Sequence, residues 1–257
     1  MATGAEGGAN YELGRRYREI LGHAGVRVQL VPTTGSLDNL ARLRDPKSKV
    51  VVGFIQGGTT TAKQSPELES LGSVFYEPLW FFHRSDVTGG IAGLRGRRIS
   101  IGPEGSGARA LSLELVKRLR IDSVVGALLG YPPQTAAEKL IAGEIDAALI
   151  VTAWDSPAIQ TLIHAPGIEL ASFPRADAYT ALYPFLNKLV LPAGVIDLAT
   201  NRPPDDVQLV ASKGILAVRA DLHPAIQYLL LSAAMQIHSQ AGIFHKAGQF
   251  PAAESID

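Results

Sequence analysis

Short, uninterrupted apolar runs alternate with segments of helical periodicity along most of this 257-residue chain. Residues 50–55 read Val-Val-Val-Gly-Phe-Ile, a composition typical of a strand that is buried on both faces of a parallel sheet. Helical patterns lie on either side of this run, at Tyr11–Leu21 and at Ser36–Leu43. The alternation predicts an α/β fold.

A second α/β set follows an aromatic-rich extended segment at Phe75–His83. We therefore predict two α/β lobes with a ligand cleft between them: residues 1–84 plus about 190–257 form lobe 1, and about 85–189 form lobe 2. Two crossing segments, near residues 80–88 and 172–210, would act as the hinge. The remaining predicted strands are Val26–Val31, Arg98–Ile101, one within Val124–Leu129, Ala147–Val151, Ile168–Ser172 and Val207–Val218; the remaining helices are Ala108–Leu119, Thr135–Ala142 and Ala225–Ser239.

Composition excludes several classes of protein. Lys+Arg and Asp+Glu balance at 24 each, so no basic surplus points to nucleic acid as a partner. The chain has no Cys, which removes disulfides, thiol catalysis and thiolate metal sites. No apolar stretch approaches the roughly 20 residues that span a bilayer, and no signal segment is visible. Only Met1–Thr3 precede the first glycine-rich loop, so we expect a trimmed N-terminus with a missing or shortened first strand.

Three glycine-containing turns directly follow predicted strands: residues 3–8, 56–61 and 102–107. A fourth strand end gives Thr152-Ala153-Trp154. In open α/β sheets, ligands lie at the carboxyl ends of strands, where helix N-termini offer free N–H donors to an anion. A glycine that only satisfies a tight turn is the alternative for any one loop. Three such loops together favour an anion-binding site.

Of these segments, residues 102–109 indicate an anion-binding site most directly. Ser106 is placed to cap the following helix, and Arg109 lies one turn in, where its guanidinium can reach back over the loop and bind a carboxylate. Pairing of Arg109 with Glu104 or another acid is the open alternative. Thr33 and Ser36 place hydroxyls at another helix start, and an ordinary capping turn explains them equally well.

Aromatic side chains are candidates for an apolar cleft wall. They are Tyr76, Trp80, Trp154, Tyr179 and Tyr183. Phe81 and Phe82, consecutive on one strand, are expected to face opposite packed layers of the core.

Signatures of catalysis are weak. There is no Gly-x-Ser-x-Gly elbow and no His-Glu-x-x-His helix, and the six His residues share no metal-ligand spacing. Gly53–Thr59 spaces its glycines as a phosphate-binding P-loop does, but Thr59 replaces the required Lys. Asp146 is interpreted as a structural turn acid. We predict no catalytic residue, no metal and no cofactor.

The ordered set of these motifs resembles the TAXI family of solute-binding subunits of TRAP transporters, over nearly the whole chain. The segments that carry the resemblance are residues 2–8, 34–39, 54–58, 94–98, 105–109, 143–148, 191–195, 219–224 and 248–251. The resemblance implies a periplasmic binding protein type II fold, whose two lobes close on a ligand and deliver it to a membrane permease. Some relatives continue past the Phe-Pro segment at 250–251 into membrane helices.

The resemblance also implies pocket residues and a ligand class. Relatives bind dicarboxylates or amino acids such as glutamate. The ligand-binding residues predicted here from motif and resemblance together are Thr3, Gly4, Thr33, Ser36, Gln56, Gly57, Tyr76, Ser106, Gly107, Arg109, Thr152, Trp154 and Tyr183. One departure is Ala108, where the family usually has Thr, so this chain lacks one hydroxyl donor.

The expected function is capture of a small organic anion for TRAP permease subunits, without chemistry, by a domain that faces the periplasm and is monomeric when isolated. A ligand-sensing regulatory domain of the same fold and the binding protein of an ABC-type importer are alternatives. A periplasmic enzyme on this scaffold would need a base–nucleophile pair, which the sequence does not offer.

Overall fold

A computed structural model describes residues 1–89, 93–120 and 126–256 of the chain. The α/β class is confirmed, with helices and strands alternating through the sequence. The helices are α1 (Ala9–His23), α2 (Ser36–Arg44), α3 (Gly107–Arg118), α4 (Pro133–Ile141), α5 (Pro157–His164), α6 (Ala176–Leu182) and α7 (Pro224–His238). The strands are β1 (Val52–Gln56), β2 (Leu68–Arg84), β3 (Arg98–Ser100), β4 (Ala127–Leu129), β5 (Ala147–Val151), β6 (Ile168–Leu170), β7 (Asn187–Leu191) and β8 (Val207–Arg219).

The chain divides into two compact units. Unit 1 comprises Met1–Glu77 with Ser212–Asp257, and unit 2 comprises Pro78–Ala211. Both divisions fall inside long strands, so β2 and β8 each contribute residues to both units. The lobe boundaries expected from the sequence, and the hinge role of the crossing segments, stay a prediction.

In unit 1, β1 pairs antiparallel with the end of β8, from Val52 opposite Val218 to Gln56 opposite Gly214. On its other side Gly53 forms a parallel bridge with Ala2, which also bridges Val31. The prediction that residues 50–55 lie within a parallel sheet is therefore wrong, because β1 is antiparallel to β8 on one side and parallel to the segment at Ala2 on the other. The predicted strand Val26–Val31 is also wrong: only Val31 forms a bridge, and residues 26–30 belong to no strand.

The core of unit 1 is formed by α1 and α7 packed on β1. Tyr17 of α1 is fully buried, and its ring meets the edge of Phe54 at 5.8 Å between centroids. Phe75 lies 6.1 Å from Phe54 and stacks on His238 of α7 at 5.8 Å. Gly214 on β8 leaves room for Phe75, since a Cβ there would lie 2.5 Å from that ring.

In unit 2, three short parallel strands lie in the order β4, β3, β5. β5 then pairs antiparallel with the second half of β2, from Leu79 opposite Val151 to His83 opposite Ala147. β6 pairs with the end of β2, and β7 with the first half of β8. Unit 2 also contains three elements that the sequence analysis did not predict: α5, α6 and β7. Residues 124–125 of the predicted strand at 124–129 lie outside the described residues.

The aromatic run on β2 forms the centre of unit 2. Phe81 and Phe82 are buried, which confirms their predicted place in the core. The alternation of a strand puts Trp80 and Phe82 on one face, stacked at 6.3 Å, and Phe81 beside His83 on the other. Trp80 is fully buried, so its predicted place in a cleft wall is wrong.

Among the described residues, no helix has the length and apolar character needed to cross a bilayer.

Candidate functional site

The parallel strands of unit 2 bring three helix starts to one edge of the sheet. β3, β4 and β5 run in the same direction, and α3, α4 and α5 begin directly after them. The loops at this edge are residues 101–106, 130–132 and 152–156. Since helix N-termini carry unpaired N–H groups and a partial positive charge, this edge favours an anion.

The loop between β3 and α3 is built by Gly102 and Ser106. Gly102 has φ +89°, and a Cβ at this position would lie 2.9 Å from Ser106 Oγ, so only glycine leaves the turn unstrained. Ser106 Oγ accepts from the N–H of Arg109 at 3.1 Å and donates to Pro103 O at 2.7 Å. The predicted capping role of Ser106 is confirmed.

Two backbone donors at the start of α3 remain available. The N–H groups of Gly107 and Ala108 have no hydrogen-bonding partner within residues 1–89, 93–120 and 126–256. They are the first two residues of the helix, where no intrahelical acceptor precedes them. A bound acceptor such as a carboxylate oxygen would satisfy both.

The guanidinium of Arg109 lies beside these donors. Its Nη1 donates to Gly102 O at 3.3 Å, so the side chain folds back over the loop as predicted. Within the described part of the chain no acid lies within 4.0 Å of it, and the alternative pairing with Glu104 is not formed. A Cβ at Gly130 would lie 3.5 Å from Nη1, which places the β4–α4 loop against the guanidinium. Arg109 thus keeps most of its donors for a ligand.

Thr152 and Trp154 belong to the neighbouring loop, at the end of β5. Thr152 is buried, and its carbonyl accepts from Trp80 Nε1 at 2.9 Å. The ring of Trp154 is half-buried and lies 5.8 Å from the ring of Trp80. Both residues therefore lie at the same sheet edge as Ser106, one strand away.

Tyr183 is not brought to this edge. Its hydroxyl donates to Glu114 Oε1 at 2.8 Å, and the guanidinium of Arg118 lies 5.9 Å from its ring centroid. Glu114 is eight residues after Ser106, which corresponds to about 12 Å along a helix. The structure places Tyr183 against the far half of α3, and its role in ligand binding stays a prediction.

Three loops of unit 1 also meet, and Asn39 ties them together. Its Nδ2 donates to Thr3 O at 3.0 Å and to Phe54 O at 2.7 Å, and its Oδ1 accepts from the Thr33 hydroxyl. Thr33 N donates to Gly4 O at 3.0 Å, which joins the first loop to the second. The predicted residues Thr3, Gly4, Thr33, Ser36, Gln56 and Gly57 thus lie in one loop cluster.

Most polar groups of this cluster are satisfied internally. The hydroxyl of fully buried Thr3 donates to backbone carbonyls, and Ser36 Oγ accepts from Gln56 N at 2.6 Å. Gly57 N donates to Lys213 O at 2.9 Å. These contacts favour a role in positioning the loops, and direct ligand binding by these residues stays a prediction. Of the side chains of this cluster, that of Gln56 makes no hydrogen bond to any described residue.

Tyr76 lies on β2 near the end of unit 1. Its hydroxyl accepts from Gln249 Nε2 at 3.1 Å, and the edge of its ring meets Phe250 at 5.0 Å. These contacts hold the ring in place within unit 1. Its function as part of an apolar wall stays a prediction.

One polar pair was missed by the sequence analysis. Glu77, next to Tyr76, is 8% exposed, and its Oε1 accepts from Asn10 Nδ2 at 3.5 Å. Burial raises the pKa of Glu77 to about 7. The sequence did offer one signal for a buried acid, because Glu77 stands inside the apolar run Phe-Tyr-Glu-Pro-Leu-Trp. Nothing in the sequence indicated its partner Asn10, which is 67 residues away.

Within the described residues no three His, Asp or Glu side chains are grouped to hold a metal ion. Asp146 accepts from the backbone and the guanidinium of Arg98, at 2.8 and 3.1 Å, and these bonds lower its pKa. This is the structural role expected for it.

Comparison with known proteins identifies a family and a fold. The NMT1-like family matches residues 1–255. A TctC solute-binding protein from Polaromonas is similar in structure with a TM-score of 0.50 at 15% identity, over 94% of this chain and 84% of that one. An amino acid ABC transporter substrate-binding protein from Streptococcus pneumoniae, bound to L-arginine, gives 0.50 at 15%, over 88% and 76%.

The regulatory domain of CcmR from Synechocystis PCC6803, in complex with 2-PG, gives a TM-score of 0.55 at 13% identity, over 93% of this chain and 96% of that one. At these identities the similarity is one of fold. The fold is that of type II periplasmic binding proteins, as predicted.

Proposed function

The chain belongs to the NMT1-like family, and we propose that it is the solute-binding domain of a TRAP-type transporter of the TAXI kind. It captures a small organic solute that bears a carboxylate, such as a dicarboxylate, an amino acid or another organic acid. It acts outside the cytoplasm and passes the solute, chemically unchanged, to membrane permease subunits.

The observation that carries this proposal is the start of α3. Two unpaired N–H groups, of Gly107 and Ala108, and the guanidinium of Arg109 offer donors to one anion at the positive end of a helix. Hydrogen bonds from a guanidinium to a carboxylate are charge-assisted and about twice as strong as neutral ones. Ala108 contributes its backbone N–H although it lacks the hydroxyl of the Thr that is usual at this position in the TAXI family.

Isothermal titration of the chain with acetate, succinate, 2-oxoglutarate and L-glutamate tests the proposal. We expect at least one acid to bind, and Arg109→Met to weaken that binding by about 30-fold or more, because removing one partner of a buried charge pair costs about 2–5 kcal/mol. Lys117→Met removes an exposed cation from the same helix and is expected to leave the affinity unchanged. A folded protein that binds none of these acids, or an Arg109→Met variant with full affinity, would contradict the proposal.

A regulatory role is the second candidate, favoured by the similarity in fold to a regulatory domain. In that role the same capture of an anion is reported to a signalling partner. An adjacent permease gene, with ligand-dependent uptake when both are expressed together, would favour transport; a signalling segment in the full-length chain would favour sensing. The similarity to an ABC transporter binding protein supports a third reading, delivery to an ABC-type importer, which the uptake assay separates by its requirement for ATP.

A further inference from the structure

The loop between β5 and α5 holds two buried hydroxyl groups that the fold leaves without a partner. Thr152 is 8% exposed and Ser156 is 6% exposed. Neither Oγ1 of Thr152 nor Oγ of Ser156 forms a hydrogen bond to any described residue. Neither atom is sealed from water, so the open part of each residue includes its hydroxyl. A buried hydroxyl that lacks a protein partner but reaches the surface is a group that a ligand can satisfy.

Ser156 occupies the same position before α5 that Ser106 occupies before α3, since each is the N-cap residue of its helix. Ser106 Oγ accepts from the helix backbone at 3.1 Å, whereas Ser156 Oγ makes no capping bond. Pro157, the first residue of α5, has no N–H, and the N–H groups of Ala158 and Ile159 have no acceptor in the described part of the chain. The start of α5 therefore offers two backbone donors beside an uncommitted hydroxyl.

The backbone around these hydroxyls is held by other contacts. Ser156 N donates to Ala153 O at 3.2 Å, and Ser156 O accepts from Gln160 N at 3.0 Å. The side chain of Gln160 returns to the loop, where its Nε2 donates to Trp154 O at 2.7 Å. Because these bonds already fix the loop, its shape does not require the two hydroxyls.

This loop lies next to the carboxylate-binding groups of α3, within unit 2. β5 pairs parallel with β3, with Ala148 opposite Ser100, and neighbouring strands are about 5 Å apart. β4 lies on the other side of β3, and the Arg109 guanidinium lies on that side, against Gly130. The order along this edge is therefore the β4–α4 loop with Arg109, then the start of α3, then the β5–α5 loop. A small acid bound at α3 has the hydroxyl of Ser156 on the side away from Arg109.

We propose that Thr152 and Ser156 bind an uncharged oxygen of the captured acid, a hydroxyl or a keto oxygen, and so select hydroxy and oxo acids over unsubstituted ones. The inference rests on the proposed function, in which the carboxylate binds at α3. A side-chain hydroxyl donates to a keto oxygen and accepts from a solute hydroxyl. A second carboxylate is disfavoured, because residues 152–156 include no cation and carry the exposed acid Asp155, which forms no ion pair with a described residue.

A series of three-carbon acids that differ only at C2 tests the selection. Propionate carries hydrogen there, L-lactate a hydroxyl, pyruvate a keto oxygen and L-alanine an ammonium group. In titration calorimetry at pH 7 we expect L-lactate or pyruvate to bind about tenfold or more tightly than propionate, since a site built for a hydrogen bond rejects a ligand that lacks it. Succinate and L-malate give the same comparison for four-carbon acids.

Two substitutions assign the selection to the β5–α5 loop. Ser156→Ala and Thr152→Val each remove one hydroxyl, and each should lower the ratio of lactate to propionate affinity about three- to tenfold. Arg109→Met should instead weaken all acids that bind. Ser85→Ala removes an exposed hydroxyl at the opposite edge of the sheet of unit 2 and should leave the ratio unchanged. Circular dichroism and the Tm of each variant confirm that it is folded.

The possible outcomes are distinct. Equal affinities within both series would overturn the inference while leaving capture of a carboxylate intact, and so would a preference for lactate that neither Ser156→Ala nor Thr152→Val lowers. Tightest binding of L-alanine, lost in Asp155→Asn, would identify an ammonium site instead, and tighter binding of succinate than of L-malate a second carboxylate site; either result overturns the inference. If no acid binds to the folded protein, the proposed function fails as well.

Discussion

Replacing Asn39 with Ala should destabilise unit 1 strongly. Asn39 is fully buried, and its amide holds three groups that come from three different segments: the carbonyls of Thr3 and Phe54 and the hydroxyl of Thr33. In the variant the carbonyls of Thr3 and Phe54, both in buried residues, lose their side-chain donor. Each such loss costs about 1–3 kcal/mol. The Thr33 hydroxyl can rotate toward another acceptor, so we assign no energetic cost to the loss of its hydrogen bond.

The expected loss for Asn39→Ala is therefore about 2–6 kcal/mol in the free energy of unfolding, measured by urea titration with circular dichroism. Asn187→Ala makes the same chemical change on β7, where the side chain has no hydrogen bond to a described residue, and should cost about 0.5 kcal/mol or less. A loss below about 1 kcal/mol for Asn39→Ala, with an unchanged m-value, would refute the argument that this amide joins the loops.

Three further changes test other parts of the structure. Gly214→Ala places a methyl 2.5 Å from the Phe75 ring and should cost about 1–3 kcal/mol in urea titrations; the loss should shrink in a Phe75→Leu background, and an equal loss there would contradict the clash. Burial lowers the pKa of His238 from 6.5 to about 3, so the unfolded state binds more protons between these values. The contribution of neutral His238 to the free energy of unfolding is therefore fully present above about pH 6.5. It falls toward pH 3 by up to about 1.4 kcal/mol per pH unit. His238→Phe should flatten that slope, while a change at the exposed His164 should not. Gly130→Val adds a branched side chain beside Arg109 Nη1 and should weaken acid binding in titration calorimetry without lowering the Tm by more than a few degrees; unaltered affinity would separate this loop from the site.

Local sequence pattern predicted most elements because each carries either a continuous or a periodic set of apolar residues. The continuous apolar run at β1 and the amphipathic pattern of α1 are both visible within a single window of sequence. The segment Val26–Val31 shows why the same signal fails. Its apolar residues pack against the core of unit 1, yet only Val31 reaches a partner strand, since the pairing depends on where Ala2 lies.

The candidate site was predictable to the extent that it depends on local geometry. Ser106 and Arg109 lie within one helical turn of each other, so their relation follows from helix periodicity alone. The Glu77–Asn10 pair and the Tyr183–Glu114 pair join residues 67 and 69 positions apart. No propensity or spacing rule specifies such contacts, because they are set by the packing of the whole unit.

The two loop clusters differ in how their polar groups are used, and this difference separates binding from stability. In unit 1, the groups of Thr33, Ser36 and Gly57 are consumed by bonds between loops. In unit 2, the backbone N–H groups of Gly107 and Ala108 have no acceptor among the described residues, and the Arg109 guanidinium, with one hydrogen bond to Gly102 O, keeps most of its donors. Unpaired N–H groups occur at every helix start, but here they lie beside a guanidinium that no acid pairs among the described residues, so a bound anion could accept from both. Substitutions in the first cluster should therefore lower the free energy of unfolding, and substitutions in the second should lower the affinity for acids while leaving the fold intact.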